Sequence, residues 1–457
     1  MRRLFLPALL FGAVPVLAAP PPATQPELRA IAGAVSAGRL HHTIRTLVGF
    51  GTRHTLSGRL GPHRGIVPAR AWVKQRFERI SKACGGCLEV REISDTVTGP
   101  RIPKPTKVVD VIAIQRGASD PGRYLVMTGH LDSRVSDVMN ADAKSEPGAD
   151  DDGSGVAAVL EAARVLSQHK LGATVVYGVT SGEEQGLYGG KLLAAHAAKQ
   201  GWQVEANLNN DIMGAIAGED GVIDNTQVRV FSTGVPANPT PKLLDDLRFH
   251  GGLLDSPSRE IARYTARMAD TYFPHLKVMM IYRLDRFGRG GDQMAFYEHG
   301  FPAVRFSEPN EDYRHQHQDV RTDNGVHYGD TIDHVNFPYL AKVTALNAVT
   351  LASLANAPAP PRDVLVHGAV KPSTTLAWKP GDGAAAKTAA GYQVLWRLTD
   401  APQWRHRRWV GNATGYTLDD VVIDNYYFGV SAVSPDGYAS PAVYPGPAGS
   451  FYRHGGG

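Results

Sequence analysis

Five short runs carry side chains that bind metals through oxygen and nitrogen, and they stand at or near the ends of expected strands and helices. The first is Gly129-His130-Leu131-Asp132, after Tyr124–Thr128. A neutral imidazole is a good zinc ligand, and an aspartate two residues on can accept its other ring N–H and fix the tautomer. The second is Gly148-Ala149-Asp150-Asp151-Asp152-Gly153-Ser154-Gly155. Three adjacent carboxylates repel one another unless cations lie nearby, the flanking glycines allow close backbone approach, and one carboxylate can bridge two metals with its two oxygens. The third is Thr180-Ser181-Gly182-Glu183-Glu184-Gln185-Gly186. Consecutive glutamates project in different directions, so one can hold a metal while the other takes a proton. Asn207-Leu208-Asn209-Asn210-Asp211 is the fourth, and Tyr313-Arg314-His315-Gln316-His317 the fifth. Each has an ordinary reading by itself, such as a surface histidine beside an acid or an acidic helix start favoured by the macrodipole. Taken in order they supply five ligands and a base. Oxygen and nitrogen donors without thiolates suit zinc, and they also admit manganese or cobalt.

Such a set needs a frame. Leu125–Gly129, Thr174–Val179, Asn207–Met213 and Ala303–Phe306 read as strands, and Val156–Leu166 and Lys191–Ala198 as helices. Strands alternating with helices predict an α/β domain, an open mixed sheet flanked by helices, with its site outside the carboxyl ends of the strands. Ala357-Pro358-Ala359-Pro360-Pro361-Arg362 reads as a stiff proline-rich linker. Beyond it the texture becomes all-β: Leu376 and Trp378, then Tyr392, Val394 and Trp396, then Tyr426, Phe428, Val430 and Ala432 alternate with other residues, and Pro435-Asp436-Gly437 marks a turn. This predicts a separately folding β-sandwich over residues 363–450, dispensable for hydrolysis of small substrates.

The runs His130-Leu-Asp132, Gly148-Ala-Asp-Asp151-Asp-Gly-Ser-Gly155, Gly182-Glu183-Glu184-x-Gly186-Leu-Tyr-Gly189 and Asn210-Asp211-Ile-Met-Gly214 resemble those of the secreted bacterial two-zinc aminopeptidases, the leucyl aminopeptidase type related to glutamate carboxypeptidase. The likeness spans most of Arg45 to Ala355. It implies the zinc-peptidase, phosphorylase/hydrolase-like fold over residues 19–356 and two zinc ions per chain. It further implies His130 and Asp211 as ligands of one zinc, Glu184 and a late histidine as ligands of the other, and Asp151 as the bridge. Asp152 would follow Asp151 across a non-proline cis peptide. Glu183 would be the general base and Asp132 the partner of His130. The Tyr313-x-x-Gln316-His317 spacing favours His317 as the late histidine, with His315 as the alternative. Where the family often has Ser-Asp-His, this chain has Gly291-Asp292-Gln293, so Asp292 is expected to be structural. The C-terminal strands resemble a fibronectin type III module, although Leu418 stands further ahead of Tyr426 than a tyrosine corner requires.

The expected activity is removal of residues from the amino end of peptides or proteins. Alternatives on the same scaffold are a carboxypeptidase, with Arg283, Arg286 and Arg289 near the substrate carboxylate, or a one-zinc glutaminyl cyclase; a catalytically silent binding protein is the non-enzymatic reading. Tyr282 and Tyr313 are candidates for the oxyanion donor.

The remaining features concern location. Arg2 and Arg3, the apolar run Leu4–Leu17 and the small residues after it read as a secretory leader over residues 1–18. The run is shorter than the ~20 residues a membrane span needs and holds two prolines, so no integral membrane segment is expected after leader removal. The product would be periplasmic or secreted, where Cys84-Gly-Gly-Cys87 is expected to close as a local disulfide, with two plain thiols as the alternative. The formal charge of +4 becomes +2 without Arg2 and Arg3, which points to no nucleic-acid partner.

Overall fold

The computed structural model describes residues 19–58, 60–143, 148–250 and 253–452; the leader-like segment lies outside them. Helices α1 (Pro26–Ala34), α2 (Ala37–Val48) and α3 (Ile66–Ala83) lead into strands β1 (Leu88–Gly99), β2 (Ile102–Gln115) and β3 (Asp120–His130). Then come α4 (Gly153–Leu166), β4 (Ala173–Thr180), α5 (Tyr188–Lys199), β5 (Gln203–Asn210) and β6 (Gln227–Phe231). They are followed by α6 (Pro241–His250), α7 (Pro257–Tyr272), β7 (Lys277–Ile281), α8 (Gln293–Glu298) and β8 (Ala303–Ser307). A small hairpin, β9 (Arg321–Asp323) and β10 (Val326–Tyr328), precedes the long α9 (Phe337–Asn356). The last part is β11 (Arg362–His367), β12 (Thr374–Lys379), β13 (Gly391–Leu398), β14 (His406–Gly411), β15 (Gly415–Leu418) and β16 (Tyr426–Val433).

The main sheet has eight strands in the order β1-β2-β4-β3-β5-β8-β6-β7. Its centre, β4-β3-β5-β8, is parallel, and the β1-β2 hairpin and the β8-β6 pair add antiparallel edges. Strand β4, Ala-Thr-Val-Val-Tyr-Gly-Val-Thr, is buried at every residue. That is the behaviour of a central strand with helices over both faces. Helix α4 is buried along nearly its whole length, so its apolar residues run all round rather than in a stripe. Close packing sets its start: a Cβ on Gly129 would lie 2.6 Å from the carbonyl carbon of Gly155, so strand end and helix start meet backbone to backbone. The third strand expected from sequence ends earlier than Met213. It stops at Asn210, and Ile212 turns into the left-handed region with φ 56°.

The C-terminal region forms two three-stranded antiparallel sheets, β11-β12-β15 and β14-β13-β16, and the rings of Trp378 and Tyr392 meet between them at 5.6 Å. The proline-rich linker is buried rather than free. Arg123 donates to the Ala357 carbonyl at 2.7 Å, and the Tyr452 hydroxyl to that of Pro360 at 3.0 Å. Beyond it, Asp255 of the main domain takes Arg397 of β13 at 2.6 Å, and Trp404 Nε1 donates to Glu260 at 3.0 Å. The two parts thus share a buried polar interface. Cys84 and Cys87 are joined as a disulfide. Among the described residues no helix is long and apolar enough to cross a membrane.

Candidate metal centre

The carboxyl ends of β3, β4 and β5 deliver His130, the Glu183-Glu184 loop and Asp211 to one spot, and the start of α4 brings Asp151. Ligand atoms of His130, Asp151 and Asp211 lie within 4.8 Å of one another, and so do those of Asp151, Glu184 and His317. The two groups share Asp151. Its Oδ1 is 3.1 Å from His130 Nε2, and its Oδ2 is 2.8 Å from His317 Nε2. Glu184 Oε1 stands 3.1 Å from His317 Nε2, and Asp211 Oδ1 stands 3.8 Å from His130 Nε2. All five side chains named from sequence as ligands therefore converge. His315 does not join them; its ring stacks on His334 at 3.4 Å and faces Asp312.

Backbone contacts hold this arrangement. The peptide between Asp151 and Asp152 is cis. Asp152 caps α4 by accepting from Gly155 N at 2.8 Å, and it also accepts from His130 N at 2.8 Å. One carboxylate thus ties strand end to helix start. Asp330 accepts from Asp150 N and Asp151 N at 2.8 and 2.7 Å, which orients the acidic turn. Asp132 differs from expectation in detail. The His130 ring nitrogen Nδ1 meets the Asp132 carbonyl at 3.0 Å, with the carboxylate 3.7 Å away. The Asp132 carboxylate instead accepts from the amides of Gly182, Glu183 and Glu184 at 2.9, 3.3 and 3.2 Å and from Thr55 Oγ1 at 2.8 Å. It therefore organises the glutamate loop as well as the histidine.

Three arginines were not singled out from sequence. Arg305, fully buried on β8, pairs with Asp211 at 2.9 Å and with Asp285 at 3.2 Å. Its signal was an arginine inside an apolar strand. Arg134 donates to Glu184 Oε2 at 2.9 Å and lies 2.7 Å from His317 Nδ1. Its signal was proximity to His130, only four residues away. Arg53, also fully buried, donates to the carbonyls of Leu131 and Gly148 at 2.7 and 2.8 Å and clamps the two ligand loops together. Asp292 is buried, accepts from Thr180 Oγ1 and belongs to neither ligand group. Tyr282 lies under the Arg259 guanidinium at 3.7 Å, and Tyr313 is exposed.

The electrostatics follow from crowding. Burial, reinforced by the charges of Asp211 and Glu184, pushes the partly exposed Glu183 well above the usual carboxylate range, against the pull of His130. Burial would also raise Asp151, but His317 and His130 outweigh it and hold it well below that range. His317 is lowered by burial yet carried to about 9 by Glu184 and Asp151. Burial lifts Asp292 to about 6.

The donor set fits divalent metals. Among the described residues, His130 Nε2 and Glu184 Oε1 are buried without a hydrogen-bond partner, close to the shared carboxylate. Imidazole and carboxylate donors of this kind suit zinc, and a bridging carboxylate suits a pair of ions.

Fold and site together define an α/β protein that gathers carboxylates and histidines at the ends of its parallel strands. The model of peptidase family M28 matches residues 110–341, and the chain belongs to that family. It is 44% identical over 427 residues to a probable zinc metalloprotease of the fungus Pyrenophora tritici-repentis, covering 92% of this chain and 87% of that protein. Its fold is similar to that of LapB from Legionella pneumophila, with a TM-score of 0.53 at 20% identity over 74% of this chain and 77% of LapB. The LapA aminopeptidase of Legionella pneumophila gives a TM-score of 0.52 at 18% identity over the same shares.

Proposed function

We propose that this chain is an exported zinc-dependent exopeptidase that binds two zinc ions and removes residues from the amino end of peptides. The observation that carries the reading is the pair of ligand groups sharing Asp151. His130 and Asp211 would hold one ion, Glu184 and His317 the other, and Asp151 both. The zinc pair would supply Lewis-acid activation of the scissile carbonyl and of the attacking water. Glu183, raised by burial among carboxylates, would accept the water's proton and return it to the leaving amine. Asp132 would keep Glu183 and Glu184 in place through their amides. The metalloprotease description of the fungal relative agrees with zinc and with peptide or protein substrates.

The amino-end preference rests on charge. With Asp151, Glu184 and Asp211 given to the ions, Glu183 is the carboxylate beside them left to receive an ammonium group. The cations that a carboxypeptidase would need are committed elsewhere: Arg286 and Arg289 both reach Glu311, at 3.3 and 3.2 Å, while Arg283 is exposed beside Phe287. The test is kcat/KM for a leucyl substrate and its N-acetyl form. Losing a charge-assisted hydrogen bond of about 1.5–3 kcal/mol should cost about tenfold or more. Equal rates, with activity lost on amidating the substrate's carboxyl end, would instead identify a carboxypeptidase. Export is supported by the leader-like first 18 residues and the Cys84–Cys87 disulfide. We read the C-terminal sheets as a fibronectin type III-like module that buttresses the main domain.

A further inference from the structure

A second concavity lies beside the metal centre. It has a volume of about 540 Å³ and sits between the start of α3, the outer half of β2 and the turn at the end of β4. Leu56, Ile66, Val67, Pro105 and Val109 make its walls apolar. Its rim is cationic. Lys104 and Lys107 are exposed, and neither makes an ion pair among the described residues. Arg70 lines the same space, with Glu92 as its acidic neighbour at 4.0 Å. The first turn of the 18-residue helix α3 adds the positive end of its macrodipole. Ser181 also lines the space, and its hydroxyl, 2% exposed, has no hydrogen-bond partner among the described residues. A buried hydroxyl left unpaired costs free energy that a ligand acceptor would recover. Asp110, beneath Ser181, does not oppose an anion: burial and then the charge of Asp292 push it well above the usual carboxylate range, toward its neutral form.

We propose that this concavity is a second binding site, separate from the metal centre, for a small carboxylate on a branched aliphatic chain. The rim cations and the Ser181 hydroxyl match one carboxylate, and the apolar walls match the chain. A bare phosphate would leave those walls in water. Such a group is carried by apolar amino acids and by the carboxyl ends of peptides, the compounds a peptidase meets and releases. The site lies one side chain from the glutamate loop, because Thr55, which lines it, donates to Asp132. The inference does not depend on the direction of cleavage.

The test is calorimetric titration of the full-length, zinc-loaded protein with 4-methylpentanoate, its amide, and inorganic phosphate. Three proteins are compared: the native chain, the rim variant K104E/K107E, and V67W, which fills the concavity. The expected result is one 4-methylpentanoate bound by the native chain, with about tenfold or more weaker binding of the amide and of phosphate. Both variants should bind the carboxylate about tenfold or more weakly while turning over a small aminoacyl substrate at the native rate. Equal affinity in all three proteins would overturn the proposal by placing the carboxylate on the metals. No binding up to about 10 mM, or phosphate binding more tightly than the carboxylate, would overturn it as well.

Discussion

Replacing Arg397 with methionine tests whether the C-terminal sheets are part of the stable enzyme. Arg397 is 3% exposed, donates to Asp255 at 2.6 Å and to the Ala401 carbonyl at 2.5 Å, and lies over the rings of Tyr427 and Trp404. Asp255 is equally buried and also pairs with Arg263 at 2.7 Å. Removing one partner of a buried ion pair costs about 3–5 kcal/mol. Arg263 remains to neutralise Asp255 and methionine keeps most of the packing, so the low end, about 3 kcal/mol, applies. With a urea slope near 3 kcal/mol/M, the midpoint should fall by about 1 M. Four of the six tryptophans, Trp378, Trp396, Trp404 and Trp409, lie beyond the linker. Fluorescence therefore reports mainly on the sheets, and residual peptidase activity reports on the metal centre. The two transitions should coincide in the native protein and move together in R397M. A fluorescence shift that leaves the activity transition in place would refute the reasoning and favour the separately folding, dispensable module expected from sequence.

Three further outcomes are expected. E183Q should keep its metals and lose about 10²–10⁴ in kcat, whereas E184A should lose metal, as read by metal analysis beside the kinetics. H317A should likewise lose metal, whereas H315A, whose ring stacks on His334 outside the ligand groups, should keep its full content. Asp285 gives a pH signature. Burial would raise it, but Arg305 and Arg286 outweigh burial and bring it from 3.8 to about 2. Its stabilisation is thus present above the unfolded value and is lost as pH falls through the folded one. From pH 5 to pH 2 the native protein should lose about 2 kcal/mol more stability than D285N, measured by urea unfolding at each pH.

What was legible in the sequence had a local cause. His130, Asp151, Glu183, Glu184 and Asp211 stand within a few residues of strands or a helix whose apolar runs are buried on every side, so pattern and chemistry coincided. Features that depend on distant partners were not legible. Arg134 reaches His317 across 183 residues, and Arg305 reaches the Asp211 carbonyl across 94. The linker read only as a stiff connector, because proline content reports backbone stiffness and says nothing of Arg123 and Tyr452 covering its carbonyls. The β1-β2 hairpin was missed because much of β1 alternates partly exposed and exposed residues at the sheet edge. Asn207–Met213 was read as one strand because nothing in Asp211-Ile212-Met213 announces the left-handed turn at Ile212.

The central claim is that Asp151 joins two metal positions. The most direct measurement is anomalous diffraction at the zinc edge from crystals of the zinc-loaded protein. Two peaks about 3–4 Å apart are expected, one beside His130 and Asp211 and one beside Glu184 and His317, with an Asp151 oxygen at each. A single peak at full occupancy, or two peaks with Asp151 touching only one, would contradict the account.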